Sequence, residues 1–288
     1  MFFILKGKII SFDCTQLLIN NINKIKMNLD LTNKTALVCG ASQGLGLACA
    51  TELALMGANV IVASRNESKL QSAMKNLDVS KGQQHSFLVL DLSNPGEVKQ
   101  TVAAFISQGN TIEILINNAG GPPSAPMIET DAAEIETAFR THVISSHILA
   151  QLVVPGMKAK GFGRIVNIVS TSVKQPINGL GISNVVRAAV ANWAKTLANE
   201  ISSFGITINN VLPGYTNTDR LDYLFSKQAT AQGADKEDVY KKMTASIPAG
   251  RLGEPAEFGA AVAFLCSPAA AYINGINIPV DGGRTGSL

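Results

Sequence analysis

The chain has 288 residues, enough for one large core, and no charge run or Ser/Pro-rich linker divides it, so a single domain is expected. A formal net charge of +3, with basic and acidic residues interspersed, gives no argument for nucleic acid or a membrane surface as partner. The four cysteines, Cys14, Cys39, Cys49 and Cys266, lack paired or metal-type spacing and read as small buried hydrophobes of a cytoplasmic protein; no metal site is expected.

Residues 1–26 have an apolar run too short for a secretory core, with Lys6 and Lys8 after it rather than before it. They read as a poorly ordered extension ahead of a domain spanning 27–288. The stretch 35–57, TALVCGASQGLGLACATELALMG, organises everything after it. An apolar strand breaks into Gly40, Ser42, Gln43, Gly44, Leu45 and Gly46 and then into a helical pattern. Gly40 permits the tight turn, Gly44 lets a pyrophosphate approach the backbone, and Gly46 lets helix pack on strand. Amides of the first helical turn, with the helix macrodipole behind them, then face the phosphates.

Strands follow at 59–63, 85–90, 112–116, 164–169, 206–211 and 277–280, alternating with helices at 67–77, 95–107, 131–160, 183–204 and 255–266. Seven strands separated by helices predict an α/β fold: a doubly wound parallel sheet with helices on both faces and right-handed crossovers. In such a sheet ligands bind at the carboxyl ends of the strands. The unusual loops fall there, at 40–46, 64–66, 91–92, 117–121, 170–180 and 213–220. Residues 217–250 predict a lid, with Leu221, Tyr223, Leu224 and Phe225 as its apolar underside.

Gly40-x-x-x-Gly44-x-Gly46, Asp91-Leu92, Asn117-Asn118-Ala119-Gly120, Ser170, Pro213-Gly214 with Thr218, and Val280-Asp281-Gly282-Gly283 together resemble the short-chain dehydrogenase/reductase family. The tail Arg251-Leu252-Gly253-Glu254-Pro255 is similar to that of its 3-oxoacyl-acyl-carrier-protein reductases. The resemblance implies a Rossmann domain, hydride transfer between a nicotinamide and a carbonyl or alcohol, and a homo-oligomer, dimer or tetramer. Its substrate would be a small molecule or an acyl thioester. Carried onto this chain, it puts Gly40, Ser42, Gln43, Gly44, Leu45 and Gly46 at the pyrophosphate and Asp91 and Leu92 at the adenine. Asn117, Ala119 and Gly120 would face the adenosine ribose, and Pro213, Gly214 and Thr218 the nicotinamide.

NAD-specific sites place a carboxylate at the end of the second strand; here Ser64 and Arg65 stand there. Arg65 favours a 2′-phosphate, so NADP(H) is preferred and NAD(H) stays open, as does the reading of Arg65 as a solvated surface residue.

The family's Tyr and Lys, four residues apart, fall on Ser183 and Arg187, and its Asn falls on His142; only Ser170 matches. No tyrosine lies between Ala159 and Gly214. A serine hydroxyl is a weak acid and Arg187 a poor proton shuttle, whereas His142 has an ordinary pKa suited to relaying protons. Three readings follow: an oxidoreductase in which Ser170 and Arg187 polarise the oxygen and Ser183, His142 or water delivers the proton; a nucleotide-binding sensor or assembly subunit with little activity; or a different reaction in the same cleft. A hydroxyl of Tyr215 or Tyr223 at the nicotinamide would favour the first.

Overall fold

The computed structural model describes residues 2–5, 8–11 and 27–287. Strands β1 (Phe2–Leu5) and β2 (Lys8–Ser11) pair antiparallel as a separate ribbon, while the rest of the expected 1–26 extension, with Cys14, lies outside the described residues.

The main sheet begins with β3 (Thr35–Cys39) and continues through β4 (Asn59–Ser64), β5 (Ser86–Val89), β6 (Ile114–Asn117), β7 (Gly163–Ile168), β8 (Ile206–Pro213) and β9 (Asn277–Val280). All seven run parallel in the order β5-β4-β3-β6-β7-β8-β9. The order reverses between β3 and β6, which opens a crevice at their carboxyl ends. Every residue of β6 and β7 is buried, Asn117, Arg164 and Asn167 among them, whereas the edge strands β5 and β9 are only partly so, as the middle of a sheet covered on both faces requires.

One face carries α1 (Gly44–Leu55) packed on α9 (Pro255–Cys266); the other carries α3 (Pro95–Ser107), α5 (Ser145–Lys160) and α6 (Gly181–Ile201). Between α1 and α3, α2 (Glu67–Lys75) follows β4. Helix α9 meets α1 where Gly259 has no side chain: a Cβ there would lie 2.7 Å from the Ala48 carbonyl oxygen. Cys39, Cys49 and Cys266 are buried free thiols, and desolvation pushes each pKa upward.

The helix expected at 131–160 is helical but not uniform. Helix α4 (Ala132–Phe139), started by an Asp131–Glu134 capping box, passes into a π turn over Arg140–Ile144 and then into α5. The wider turn rotates the following side chains relative to a plain α-helix and holds His142. The lid likewise divides into α7 (Asp219–Gln232) and α8 (Lys236–Ala245), separated by Gly233 at φ +60° and the Asp235 cap. Two of the four residues expected as its underside are used internally instead. Leu221 and Phe225 pack with Ala229, Val239, Ile247 and Leu252 into a small core of the lid's own, and Tyr223 is 60% exposed.

Candidate functional site: a cleft at the reversal of strand order

The glycine loop joins β3 to α1. Gly40 and Gly44 hold φ of +61° and +59°, a region L side chains rarely adopt. A Cβ on Gly40 would lie 2.6 Å from the Asn118 carbonyl oxygen, and one on Gly46 would collide with the Gly40 carbonyl oxygen. Asn118 Nδ2 donates to the Cys39 and Gly40 carbonyls at 3.2 and 3.3 Å, so the loop after β6 braces the loop after β3. No side chain caps the start of α1, where Gln43 is extended. Its first amides therefore remain for an anion.

These elements enclose a cleft of about 600 Å³. Of the residues singled out in the sequence, Gly40, Ser42, Gln43, Arg65, Asp91, Leu92, Ala119 and Gly120 line it. Ser64, at the end of β4, lines the cleft as well, and its Oγ is buried with no hydrogen-bond partner. Lys69, one turn into α2, also lines the cleft, and its Nζ donates to Gln43 Oε1 at 2.8 Å. Lys69 was missed because nothing local marks it, its partner Gln43 lying 26 residues away, while Asn118 stands in the Asn117-Asn118-Ala119-Gly120 motif without a bracing role being read for it. The Asp91 carboxylate accepts from Ser93 N and Oγ, which fixes the turn after β5.

Other expected positions lie elsewhere. Leu45 packs against the core beside α1, and Gly46 sits behind the loop as the close contact. Asn117 is 6% exposed and is a rung rather than a wall: its amide donates to Asn167, Asn167 to Asn210, and Asn210 to Asn277, each at 2.8 Å, across the paired ends of β6, β7, β8 and β9. Strand register alone brings these four amides together. Pro213 and Gly214 close β8, with Gly214 tight against Asp281. Thr218 caps α7 through Oγ1, and its methyl carbon lies 3.8 Å from a Cβ built on Gly44. The first turn of α7 therefore lies beside the N-terminus of α1.

At the other end, Arg187 on α6 is 8% exposed. Its Nη1 donates to the Ile168 carbonyl at 2.7 Å and Nη2 to that of Ala119 at 3.3 Å, tying the ends of β7 and β6 together, while Nε has no partner. Desolvation lowers its pKa to about 10, so it stays charged at neutral pH. His142 is 4% exposed beside it. Desolvation first, and the Arg187 charge second, push the imidazole pKa down to about 3. The expectation of His142 as a neutral-pH proton relay is therefore corrected: the ring is uncharged there and can offer only a neutral hydrogen bond.

Ser170 Oγ accepts from Ser172 N and caps a short turn, which leaves the Ser170 hydroxyl proton to donate. Ser183 is half-buried in the first turn of α6. Tyr215 turns away from the cleft: its hydroxyl accepts from Arg284 Nη2 at 2.9 Å, and its ring lies under that guanidinium and edge-on to Phe225. Neither it nor the exposed Tyr223 lines the cleft.

Residues 40–285 match the family described as "Enoyl-(Acyl carrier protein) reductase". The chain is 36% identical over 258 residues to the 3-oxoacyl-(acyl-carrier-protein) reductase FabG of Vibrio cholerae, covering 88% of this chain and 98% of that one. The chain is a short-chain dehydrogenase/reductase. A solved structure described as a short chain dehydrogenase/reductase family protein superposes with a TM-score of 0.75 at 30% identity, covering 89% of this chain and 99% of its own. L-sorbose reductase from Gluconobacter frateurii, complexed with NADPH and L-sorbose, superposes with a TM-score of 0.85 at 29% identity over 91% of this chain and 100% of its own. Within this short-chain dehydrogenase/reductase, among the described residues no helix is long and apolar enough to cross a membrane.

Proposed function

We propose that the protein is an NADP(H)-dependent oxidoreductase interconverting a carbonyl and an alcohol on a small molecule or an acyl thioester, with a remodelled catalytic end. The observation that carries the cofactor reading is the corner at the end of β4. There a buried, unpartnered Ser64 Oγ stands with Arg65 and Lys69 where NAD-specific sites carry a carboxylate. The uncapped amides of α1 fit the pyrophosphate, and Asp91, Leu92, Ala119 and Gly120 fit the adenosine.

When bound, the reduced nicotinamide supplies the hydride. The chain's own part is to meet negative charge on the substrate oxygen. Arg187 is held in place by two backbone carbonyls and keeps Nε as a donor, and Ser170 keeps its hydroxyl proton. Ser183 or water then supplies the proton that a tyrosine supplies elsewhere in the family. Dimer or tetramer formation in the cytoplasm belongs to the same proposal, supported by Phe139, Ile144 and Val185 exposed along α4 to α6.

One observation favours a second reading, a nucleotide-binding protein with little turnover: His142 is held neutral and Tyr215 is engaged by Arg284, so neither serves as an acid. The test is a titration with NADPH and NADH followed by a panel of ketones and 3-oxoacyl thioesters. NADPH-selective binding with turnover is the expected result. Binding without turnover on any substrate moves the assignment to the second reading, and absence of binding removes both.

A further inference from the structure

The cofactor reading above accounts for one cationic end of the cleft and leaves the other without a task. Arg220 lies in the first turn of α7, two residues past the Thr218 cap that faces Gly44. It lines the same cleft as Ser42, Gln43 and Gly120. Its Nη2 reaches across to the Gly121 carbonyl at 3.4 Å, the long limit of a hydrogen bond. A Cβ on Gly121 would come into van der Waals contact with Nη2, at 3.4 Å, so the guanidinium lies directly over this glycine. Among the described residues Arg220 makes no ion pair, and the nearby lid carboxylate of Asp222 is taken by Lys236 at 2.6 Å.

We infer that Arg220 is a pyrophosphate-binding residue, carried on the lid, that clasps the dinucleotide against the N-terminus of α1. An NADP-type ligand has two separated anionic centres. The Arg65 and Lys69 corner suits the 2′-phosphate, and the glycine loop sets the pyrophosphate between that corner and the lid. Arg220 is the cleft-lining cation on the lid side, with a forked guanidinium able to exchange one long bond to a neutral carbonyl for charge-assisted bonds to phosphate oxygens. Because it rides on α7, the same contact that holds the phosphates draws the lid over the cleft. Closure and cofactor binding are then one event.

The inference rests on the proposed cofactor and is separable from it. Dissociation constants for NADPH, NADH and adenosine 2′-monophosphate are measured for the wild-type chain, R220Q and R65A. Arg220 is exposed, so R220Q is expected to fold, and ligand-free melting curves verify it. R220Q is expected to weaken NADPH and NADH by the same factor, roughly tenfold, and to leave adenosine 2′-monophosphate, which has no pyrophosphate, unchanged. R65A should do the reverse, weakening NADPH and adenosine 2′-monophosphate and sparing NADH. NADPH should also slow tryptic cleavage within 219–245 in the wild type and not in R220Q. The inference is overturned if R220Q binds both dinucleotides like the wild type. It is equally overturned if the loss is confined to ligands bearing a 2′-phosphate, or if only a substrate KM changes, which would make Arg220 a substrate contact. A wild-type chain that binds neither dinucleotide overturns the cofactor reading itself and this inference with it.

Discussion

At the ends of β3 and β4 the cleft is built from backbone: a glycine turn, uncapped amides and a strand end whose side chains sit close to it in sequence. Beside the cleft, at the ends of β6 and β7, a small neighbouring pocket is built from side chains, with Arg187 reaching two carbonyls 19 and 68 residues away and His142 set by a π turn. The first region retains the family's pattern. The second carries Ser170, Ser183, His142 and Arg187, the residues to which the proposed function gives a remodelled role. Backbone cradles for phosphate depend on glycine and helix geometry, which few substitutions can reproduce. A proton-transfer site depends on individual side chains, so it can change while the cleft stays intact.

The sharpest way to break the first half of this comparison is Gly46→Ala. The added Cβ meets the Gly40 carbonyl oxygen and, at 2.7 Å, Asn118 Nδ2, both parts of the loop that must stay in place. Overpacking of this kind costs about 1–3 kcal/mol. NADPH affinity should fall at least a hundredfold while the sheet survives, measured by ligand titration alongside thermal unfolding. Unchanged affinity would mean that the loop is not the phosphate site.

At the other end the largest effect is expected from Arg187→Met. Removing the guanidinium relieves a buried charge but leaves the Ile168 and Ala119 carbonyls unpaired, at about 1–3 kcal/mol each if buried. The two effects oppose each other, so stability should change by less than about 3 kcal/mol. Turnover should disappear, because the charge proposed to meet the substrate oxygen is gone. Denaturant unfolding and a steady-state assay together separate the outcomes. Normal turnover would remove Arg187 from the site.

These contrasts follow what the sequence exposes. The strand starts, the 255–266 helix and the glycine loop are legible because apolar runs and turn residues are local signals. The His142 environment is not: its ordinary pKa suggests a relay, and only the packing of the π turn against Arg187 reveals a neutral ring. The asparagine ladder needs the register of four strands, and the lid's private core needs the angle between α7 and α8. Lys69 and Arg220 act across the cleft, and nothing in their immediate neighbours marks them; Asn118 stands in a legible motif, but its brace to Cys39 and Gly40 needs the fold. Ser64 and Arg65 were readable because strand β4 ends where its residues alter, from apolar to polar.

The His142 correction carries a pH prediction. Its pKa near 3 in the folded chain lies below the usual unfolded value of about 6.5, so between those limits the unfolded chain binds the extra proton. This contribution to stability is complete above about pH 6.5 and is lost progressively as pH falls toward 3. Urea unfolding of the wild type and His142→Gln at several values in this window should show the wild type losing more stability on acidification. Equal slopes would mean that the ring is charged or solvated. The pH profile of turnover should likewise lack an inflection belonging to His142.

The smallest effect tests whether the cofactor end is specific or merely basic. Arg65 lines the cleft beside the unpartnered Ser64 hydroxyl, and Lys69 stands one helical turn away with a bond to Gln43. Two cations share the corner, so Arg65→Ala should lower NADPH affinity only about tenfold rather than abolish it. Adding Lys69→Ala should bring NADPH down to the level of NADH, since the remaining contacts recognise parts common to both. A double variant that still prefers NADPH would place the discriminating phosphate elsewhere. One that loses both cofactors together would show that the corner supports the glycine loop through Gln43 instead of reading the 2′ position.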